Sequence, residues 1–383
     1  MNIETGRASL KDCLLKYKVE IVFIILAMLV IIVVVALGPE PLNQIRDEQE
    51  VATNEVLLLN RVGSVALAED ENNAASIAIS GRYAFITTDT WPTKVVAVDI
   101  SNPRNPTRVG AVTLAEGEDN GLSIAISGRY AFITTDTEPA RVVTVDISDP
   151  RNLTRVGAVI LAKGEDLGLS IAISDQYAYV ATSTKPAKVV VVDISNPRSP
   201  RRVGAVTLDE GENNGLSIAI SGQYAYITTL AEPTKVVAVD ISNPKNPTRV
   251  GAVTLAEGED TGLSIAISGR YAYIATFTEP AKVVAIDISD PRNLTRVGTI
   301  TLVGEHYGNS IAISGRYAYV RTLASSVIAI DISNPSNLTR VGPVTFISEY
   351  YGFSIAISGR YAYIATFTEP AKVIVVELIT PKN

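Results

Sequence analysis

The sequence has very few of the side chains that most often carry chemistry. Its 383 residues include one cysteine, Cys13, and one histidine, His306. A single cysteine cannot form an intramolecular disulfide, so packing and hydrogen bonds must hold the fold together. The same scarcity excludes Cys/His zinc sites, Cys–His nucleophile pairs and centres with several histidines. We therefore assign no catalytic residue and no metal ligand from the sequence.

The sequence also lacks a surplus of positive charge. Its formal net charge is −7 and its isoelectric point is about 5.0. Because phosphate binding requires clustered lysine and arginine, this balance disfavours a nucleic-acid partner. Charged residues make up 19% and apolar residues 47%, which indicates an ordinary folded protein and not a disordered one.

Only one long hydrophobic run is present, a 17-residue segment at 21–37. Its length is sufficient for a transmembrane helix, and four Lys/Arg residues precede it. The sequence thus predicts a cytoplasmic tail (1–20), a single transmembrane helix (21–37) and a stalk (38–55). The remainder is expected outside the cytoplasm at the cell membrane. A cleaved signal peptide is the alternative.

The rest of the chain, after the apolar run and the stalk, is built from a repeat. The phrase Ser-Ile-Ala-Ile-Ser occurs seven times, at spacings of 47, 47, 47, 47, 46 and 44 residues. Its copies begin at Ser76, Ser123, Ser170, Ser217, Ser264, Ser310 and Ser354. A period of this size is typical of one supersecondary unit that is copied and stacked on its neighbours.

Each unit contains four short runs rich in Ile, Val, Thr, Tyr and Phe, separated by turn residues. We name the corresponding strands A (SIAIS), B (such as RYAFITT), C (such as VVTVDIS) and D (such as TRVGAVIL). Four strands in about 47 residues, seven times over, predict a seven-bladed all-β propeller at 56–383. A β-solenoid is the alternative, although its coils are usually shorter.

The order of the strands predicts how the ring closes. A D-like segment at 59–67 precedes the first strand A, and the chain ends shortly after a strand C at 372–378. The N-terminal strand should therefore complete the last blade, which removes the free edges of an open array.

The repeated phrases resemble a known family. VVAVDIS, VVVVDIS and VIAIDIS, followed by NP or DP and preceded by YAYIAT, are similar to the LVIVD-repeat β-propellers. This resemblance covers 56–383 and implies a propeller that is exported or attached to the cell surface. It implies no catalytic residue.

Carboxylates at the end of strand C face arginines near the start of strand D when residues are counted around the C–D hairpin. The counting predicts a structural ion pair in every blade, with the last pair across the ring closure. The predicted pairs are Asp99–Arg108, Asp146–Arg155, Asp193–Arg202, Asp240–Arg249, Asp287–Arg296, Asp331–Arg340 and Glu377–Arg61.

Charge should differ between the two faces of the ring. The D–A and B–C loops share one face and collect acidic residues in EGED-like sequences, whereas the A–B and C–D loops collect arginines. The acidic loops leave calcium as a weak cofactor candidate, although they match neither the DxDxDG nor the GGxGxD pattern. Asn-Leu-Thr sequons lie in C–D loops at Asn152, Asn293 and Asn337.

The sixth and seventh D–A loops depart from the common pattern and are the candidate ligand site. They introduce aromatic residues and a histidine beside carboxylates, which suit a sugar or a peptide side chain. The candidate residues are Glu305, His306, Tyr307, Glu349, Tyr350, Tyr351 and Phe353. Packing of these rings over the closure of the propeller is the alternative.

These observations predict a membrane-anchored, non-enzymatic binding or adhesion module for a protein or glycan of the cell envelope. A structural surface component without a specific ligand is the first alternative. A hydrolase or lyase acting in the channel mouth is the second, because fold does not dictate function.

Overall fold

The computed structural model describes residues 59–323, 326–346 and 352–378, and the regular elements there are strands β1 to β28. The first half of the chain contains β1 (Asn60–Ala66), β2 (Ala74–Ser80), β3 (Tyr83–Thr88), β4 (Lys94–Asp99), β5 (Thr107–Thr113), β6 (Gly121–Ser127), β7 (Tyr130–Thr135), β8 (Arg141–Asp146), β9 (Thr154–Ile160), β10 (Gly168–Ser174), β11 (Tyr177–Thr182), β12 (Lys188–Asp193) and β13 (Arg201–Thr207). The second half contains β14 (Gly215–Ser221), β15 (Tyr224–Thr229), β16 (Lys235–Asp240), β17 (Thr248–Thr254), β18 (Gly262–Ser268), β19 (Tyr271–Thr276), β20 (Lys282–Asp287), β21 (Thr295–Thr301), β22 (Gly308–Ser314), β23 (Tyr317–Thr322), β24 (Ser326–Asp331), β25 (Thr339–Phe346), β26 (Gly352–Ser358), β27 (Tyr361–Thr366) and β28 (Lys372–Glu377).

These strands form seven antiparallel sheets of four strands each. Blade one is β2-β3-β4-β5, and the next five blades follow in chain order through β25. Blade seven has the order β26-β27-β28-β1, so the N-terminal strand is its outermost strand. Each innermost strand lies beside the next, and β26 lies beside β2. The predicted seven-bladed propeller and its closure by the N-terminal strand are confirmed.

None of the described elements is a helix of the length and hydrophobicity that crossing a membrane requires. The predicted tail (1–20), transmembrane helix (21–37) and stalk (38–55) lie outside the described residues.

The hydrophobic core lies between blades, in contacts that we call seams. Strands B and C are buried on both faces, which explains their nearly continuous apolar sequences. In the first seam, Phe85 and Val95 of blade one pack against Ile124 and Ile133 of blade two. Each blade thus buries its side chains against its neighbours, as expected for a repeat that cannot fold alone.

The first serine of each SIAIS phrase has a structural role at the inner edge of the seams. The hydroxyl of Ser76 accepts a hydrogen bond from the amide of Ile124 in the next blade, at 3.4 Å. The same bond joins five further seams at 3.2–3.3 Å, and its acceptors are Ser123, Ser170, Ser217, Ser264 and Ser310. This explains why the phrase recurs without marking a ligand site.

Strand D carries a bulge and a glycine that let the blades approach closely. In blade one the register shifts between Ala97 and Val98, so one extra residue of β5 bends the outer strand. A Cβ added to Gly110 would lie 2.3 Å from the carbonyl oxygen of Pro150 in the next C–D loop. The TRVG motif therefore provides room for the neighbouring hairpin.

Candidate functional site

The inner glutamate of each acidic D–A loop lies in a seam and not on the open face. The carboxylate of Glu118 accepts a hydrogen bond from Arg155 Nε at 2.7 Å and another from the Ala115 amide at 2.9 Å. Its side chain is 1% exposed. Because Glu118 follows blade one and Arg155 belongs to blade two, the pair connects adjacent blades.

The same interblade pair, which we call a clamp, occurs in six described seams. The pairs are Glu71–Arg108, Glu118–Arg155, Glu165–Arg202, Glu212–Arg249, Glu259–Arg296 and Glu305–Arg340. By its place in the repeat, Glu349 corresponds to the clamp glutamates and Arg61 to the clamp arginines, but Glu349 lies outside the described residues. One carboxylate in each of these six loops is consequently engaged within the protein.

The ion pairs predicted across the C–D hairpin are wrong, because the hairpin is centred half a residue earlier than the counting assumed. Asp99 is opposite Thr107, and Arg108 is opposite Val98. Neighbouring residues of a strand point to opposite faces, so a one-residue difference separates the two charges. Arg108 instead reaches Glu71.

The strand-C carboxylates bind locally in place of the predicted partners. In blades one to six an oxygen of the aspartate accepts the backbone amide two residues later, as in Asp99 with Ser101 at 2.9 Å. Several also pair with the arginine of the A–B turn, and Glu377 of the predicted closing pair does so with Arg360. These pairs are Arg82–Asp99, Arg129–Asp146, Arg270–Asp287, Arg316–Asp331 and Arg360–Glu377. The arginines on the face that carries the A–B and C–D loops are therefore partly neutralised.

The remaining members of the predicted pairs also have local partners. Asp193 and Asp240 accept the amides of Ser195 and Ser242, each at 2.9 Å. Arg61 donates to the hydroxyl of Ser64 at 2.9 Å.

The clamps influence the acidity of their carboxyl groups. Burial pushes the pKa of Glu212 upward, but the hydrogen bond and charge of Arg249 and the Asp209 amide outweigh it and hold that pKa below its usual range. The pKa of Glu259 is lowered in the same way, with Arg296 as the main partner that opposes burial. These groups therefore remain ionised near neutral pH.

Metal binding has no support in the described part of the chain. Nowhere in it are three or more His, Cys, Asp or Glu side chains grouped as metal ligands. In the EGED-like loops the innermost carboxylate already belongs to a clamp, which leaves only the outer acids at the surface.

Tyr307, an aromatic residue that distinguishes the sixth D–A loop, contacts the B–C loop of blade five. The ring of Tyr307 stacks against Phe277 with 4.7 Å between ring centroids and an angle of 30°. Its hydroxyl donates to Glu279 at 3.0 Å, and His306 Nδ1 lies 3.1 Å from the other oxygen of the same carboxylate. Partial burial and this carboxylate raise the pKa of Tyr307.

A second aromatic pair lies in blade seven. Phe353, at the start of β26, packs against Phe367 of the B–C loop with 4.7 Å between ring centroids. We refer to Phe277, Glu279, His306, Tyr307, Phe353 and Phe367 as the mouth sector. The candidates Glu349, Tyr350 and Tyr351 lie outside the described residues.

Glu305 differs from its expected role, because it is a clamp residue and not an open carboxylate. Its side chain is 5% exposed. It accepts hydrogen bonds from Arg340 at 3.2 Å and from the Ser326 hydroxyl at 2.5 Å. A ligand at the mouth would therefore meet His306 and Tyr307 before Glu305.

The sequence prediction did not include Phe277, Glu279 and Phe367 in the candidate site, because it considered the B–C loops only for their acidic charge. The first B–C residue changes around the ring from acidic to apolar. In chain order it is Asp89, Asp136, Ser183, Leu230, Phe277, Leu323 and Phe367. A comparison of this one position among the seven blades would have located the aromatic side of the mouth.

In each of the six described D–A loops, one non-glycine residue has a left-handed backbone conformation. Non-glycine residues there have φ between 47° and 58°: Asn73, Asn120, Leu167, Asn214, Thr261 and Tyr307. Their carbonyls accept the amide of the first B–C residue, as Tyr307 does from Leu323 at 3.1 Å. Such strain persists where the surroundings enforce it, and it is frequent at binding sites.

Repeat, ring and mouth together define a β-propeller built from one recurring sequence unit. The chain belongs to the LVIVD repeat family, whose pattern matches residues 72–113, 120–160, 169–207, 214–254, 262–301, 307–345 and 351–370. This confirms the family resemblance. No curated protein sequence matches the chain.

Solved propellers of distant sequence share the fold. The WD40 repeats of RRP9 superpose with a TM-score of 0.65 at 9% identity, covering 84% of this chain and 100% of that one. U3-55K gives 0.65 at 10% identity, with coverages of 82% and 98%. The Neurospora crassa Pan2 WD40 domain gives 0.63 at 13%, with 85% and 97%. At these identities the likeness concerns the fold alone.

Proposed function

We propose that this protein is a non-enzymatic binding module of the cell envelope that recognises a glycan at the mouth sector. The observation that carries the proposal is the contrast between a nearly uniform ring and one divergent part of its mouth. There, the stacked rings of Phe277 and Tyr307 lie beside a carboxylate and an imidazole, and a second aromatic pair lies in blade seven. Aromatic faces bind the apolar face of a sugar ring, and the polar groups can bind its hydroxyls.

The proposal places the propeller outside the cytoplasm, anchored by the segment at 21–37 with the N-terminus inside. The length of the apolar run and the positive charges before it support this arrangement. Export of the propeller would bring the mouth sector into contact with envelope glycans.

A purely structural surface role is the second candidate, because clamps in six described seams favour a rigid ring whatever its ligand. A hydrolase or lyase ranks third. Its acid would have to come from residues such as Glu305 or His306, and Arg340 already holds Glu305. Both oxygens of this clamped carboxylate already accept hydrogen bonds, one from Arg340 and one from Ser326.

The proposal is tested by exposing the full-length protein in detergent to a panel of envelope glycans. We expect saturable binding to a subset of glycans. We expect it to be lost in the double variant Phe277→Ser, Tyr307→Asn. Both substitutions introduce residues that other blades carry at the same positions, so the fold should tolerate them.

A matched control is Leu230→Ser in blade four, the same B–C position on another side of the mouth. It should bind like the wild type. Binding by the double variant equal to that of the wild type, or no binding to any glycan, would contradict the proposal.

A further inference from the structure

Arg321 is a charged side chain buried where no other blade has one. It lies in β23 and is 0% exposed. All three of its side-chain nitrogens are buried, and none has a hydrogen-bond partner among the residues that the structure describes. In the other blades the equivalent residue is threonine or alanine: Thr87, Thr134, Ala181, Thr228, Ala275 and Ala365. The fold therefore does not require an arginine here.

Its position relates Arg321 to the mouth sector. It shares a strand face with Tyr317 and Tyr319, which pack against Ile355 and Ile364 of blade seven, so its side chain enters the seam between blades six and seven. It lies two residues before Leu323, whose amide donates to Tyr307. The arginine therefore lies at the mouth end of its strand, between the two aromatic pairs of the mouth sector.

A buried guanidinium without an acceptor is unfavourable, because its hydration has been removed and nothing replaces it. Burial accordingly lowers the pKa of Arg321 to about 9. Arginine nevertheless keeps its proton at neutral pH and presents a planar set of donors that matches a carboxylate. An anion that reached this side chain would be bound strongly.

We propose that Arg321 is the charge-recognising residue of the mouth and binds the carboxylate of an acidic sugar, such as a uronic acid. This inference rests on the proposed glycan recognition and assigns its ligand a chemical class. Binding requires the guanidinium to swing toward the mouth end of β23, which its flexible stem permits.

The charge around the mouth favours a ligand with isolated carboxylates over a dense polyanion. Exposed acids such as Glu69, Glu116, Glu210 and Glu257 lie in the D–A loops of the same face. They repel a highly charged ligand at long range, whereas a single buried arginine attracts one carboxylate at short range. Sugars stacked on the aromatic pairs would deliver that carboxylate.

The test compares glucuronate with glucose, using the full-length protein and the variant Arg321→Thr. For the wild type we expect glucuronate to bind at least tenfold more tightly than glucose, because a charge-assisted hydrogen bond contributes this much. The variant should lose the preference and keep the glucose affinity. Inorganic phosphate is a third probe, and it should bind more weakly than glucuronate.

Thermal unfolding without sugar gives an independent readout. Because threonine is the residue of other blades, Arg321→Thr should unfold at a temperature about 5 °C higher than the wild type. Glucuronate should raise the unfolding temperature of the wild type but not that of the variant. Arg292→Thr, in an exposed C–D loop, is the control and should change neither readout.

Several outcomes would overturn the inference. Equal affinities for glucuronate and glucose would refute it while leaving the proposed function intact. So would tighter binding of phosphate, or a large loss of stability in Arg321→Thr, which would place the partner of the arginine inside the folded chain. If neither sugar bound and the glycan panel also failed, the proposed function and this inference would fall together.

Discussion

At the scale of single residues, the clamps are the ion pairs that recur in six described seams. Glu212 is almost fully buried, whereas its partner Arg249 is about one quarter exposed. The pair also involves the exposed Asp209, 3.0 Å from Arg249 Nε. Removal of the buried carboxylate leaves the arginine without its main acceptor, so clamps should matter more than ordinary surface ion pairs.

We predict that Glu212→Gln lowers the free energy of unfolding by about 1–3 kcal/mol at pH 7. The folded pKa of Glu212 lies below its usual value, so the contribution of its charge is present above the unfolded pKa of about 4.3 and is lost as the pH falls through the folded pKa. Urea unfolding at pH 7 and at pH 4 measures this. Glu210→Gln, an exposed change in the same loop, is the control. Equal stabilities of the two variants at pH 7 would contradict the prediction.

The contribution of Asp89 to the free energy of unfolding has the opposite pH dependence to that of Glu212. Burial raises its pKa to about 6, above the unfolded value of about 3.9, so the folded state holds the proton more tightly. Its protonation favours the folded state below about pH 4, and this contribution is lost as the pH rises through 6. We predict that Asp89→Asn raises the unfolding free energy at pH 7 by about 2 kcal/mol. A denaturation series from pH 4 to pH 8 tests this, with Glu116→Gln as the control; no gain at pH 7 would refute it.

Thr261 is the most strained of the left-handed residues, since its branched Cβ fits φ of 49° poorly. Asparagine tolerates this conformation and occupies the same position in three other blades. We predict that Thr261→Asn stabilises the protein by about 1 kcal/mol in chemical denaturation. The reverse change at the equivalent place in blade two, Asn120→Thr, should destabilise it by a similar amount. Two changes of the same sign would refute the strain argument.

At the scale of the elements, the repeat predicted the strands, their order and the closing strand. The period of the repeat and the pattern of apolar residues within each strand depend on which side chains must be buried. Because the unit occurs seven times, a local exception in one copy does not hide the common pattern. The N-terminal strand could be assigned to the last blade because its NRVG segment matches strand D. The centre of the C–D hairpin could not be predicted, because half a residue changes no spacing in the repeat.

The clamp partners show why periodic sequences are ambiguous about contacts. Arg108 recurs in step with both Asp99 and Glu71, so spacing alone cannot decide which of the two it binds. The choice depends on the bulge in β5 and on the approach of the neighbouring blade, both of which are three-dimensional. Departures in blades five to seven were visible in the sequence, but the contact of Tyr307 with Phe277 was not.

The close approach of strand D to the next hairpin gives a prediction at this scale. A Cβ on Gly204 would lie 2.4 Å from the carbonyl oxygen of Pro244, which is backbone and cannot rotate away. We predict that Gly204→Ala destabilises the protein by about 1–3 kcal/mol through overpacking of the seam. Thermal unfolding measures this, and Thr207→Ala at the exposed end of the same strand is the control. A stability of Gly204→Ala within about 0.5 kcal/mol of the wild type, the ordinary range for surface changes, would contradict the prediction.

At the scale of the propeller, near-identity and divergence have different consequences. Nearly identical seams give a ring in which β1 closes blade seven and clamps join neighbouring blades, including Glu71–Arg108 across the closure. Such a ring is a rigid support for one divergent sector. The departures at Phe277, Tyr307 and Arg321 concentrate in blades five and six, beside Phe353 and Phe367 of blade seven. A recognition site requires such a concentration of divergent residues in one sector, whereas a purely structural ring does not require it.

The most direct test of recognition at the mouth is the dissociation constant of Tyr307→Asn for the best glycan of the panel. Asparagine is the residue at this position in three other blades, so the unfolding temperature should be unchanged or slightly higher. Because the variant removes a stacked ring and its hydroxyl, we predict at least tenfold weaker binding. An affinity equal to that of the wild type, in a variant with an unchanged unfolding temperature, would contradict recognition at the mouth sector.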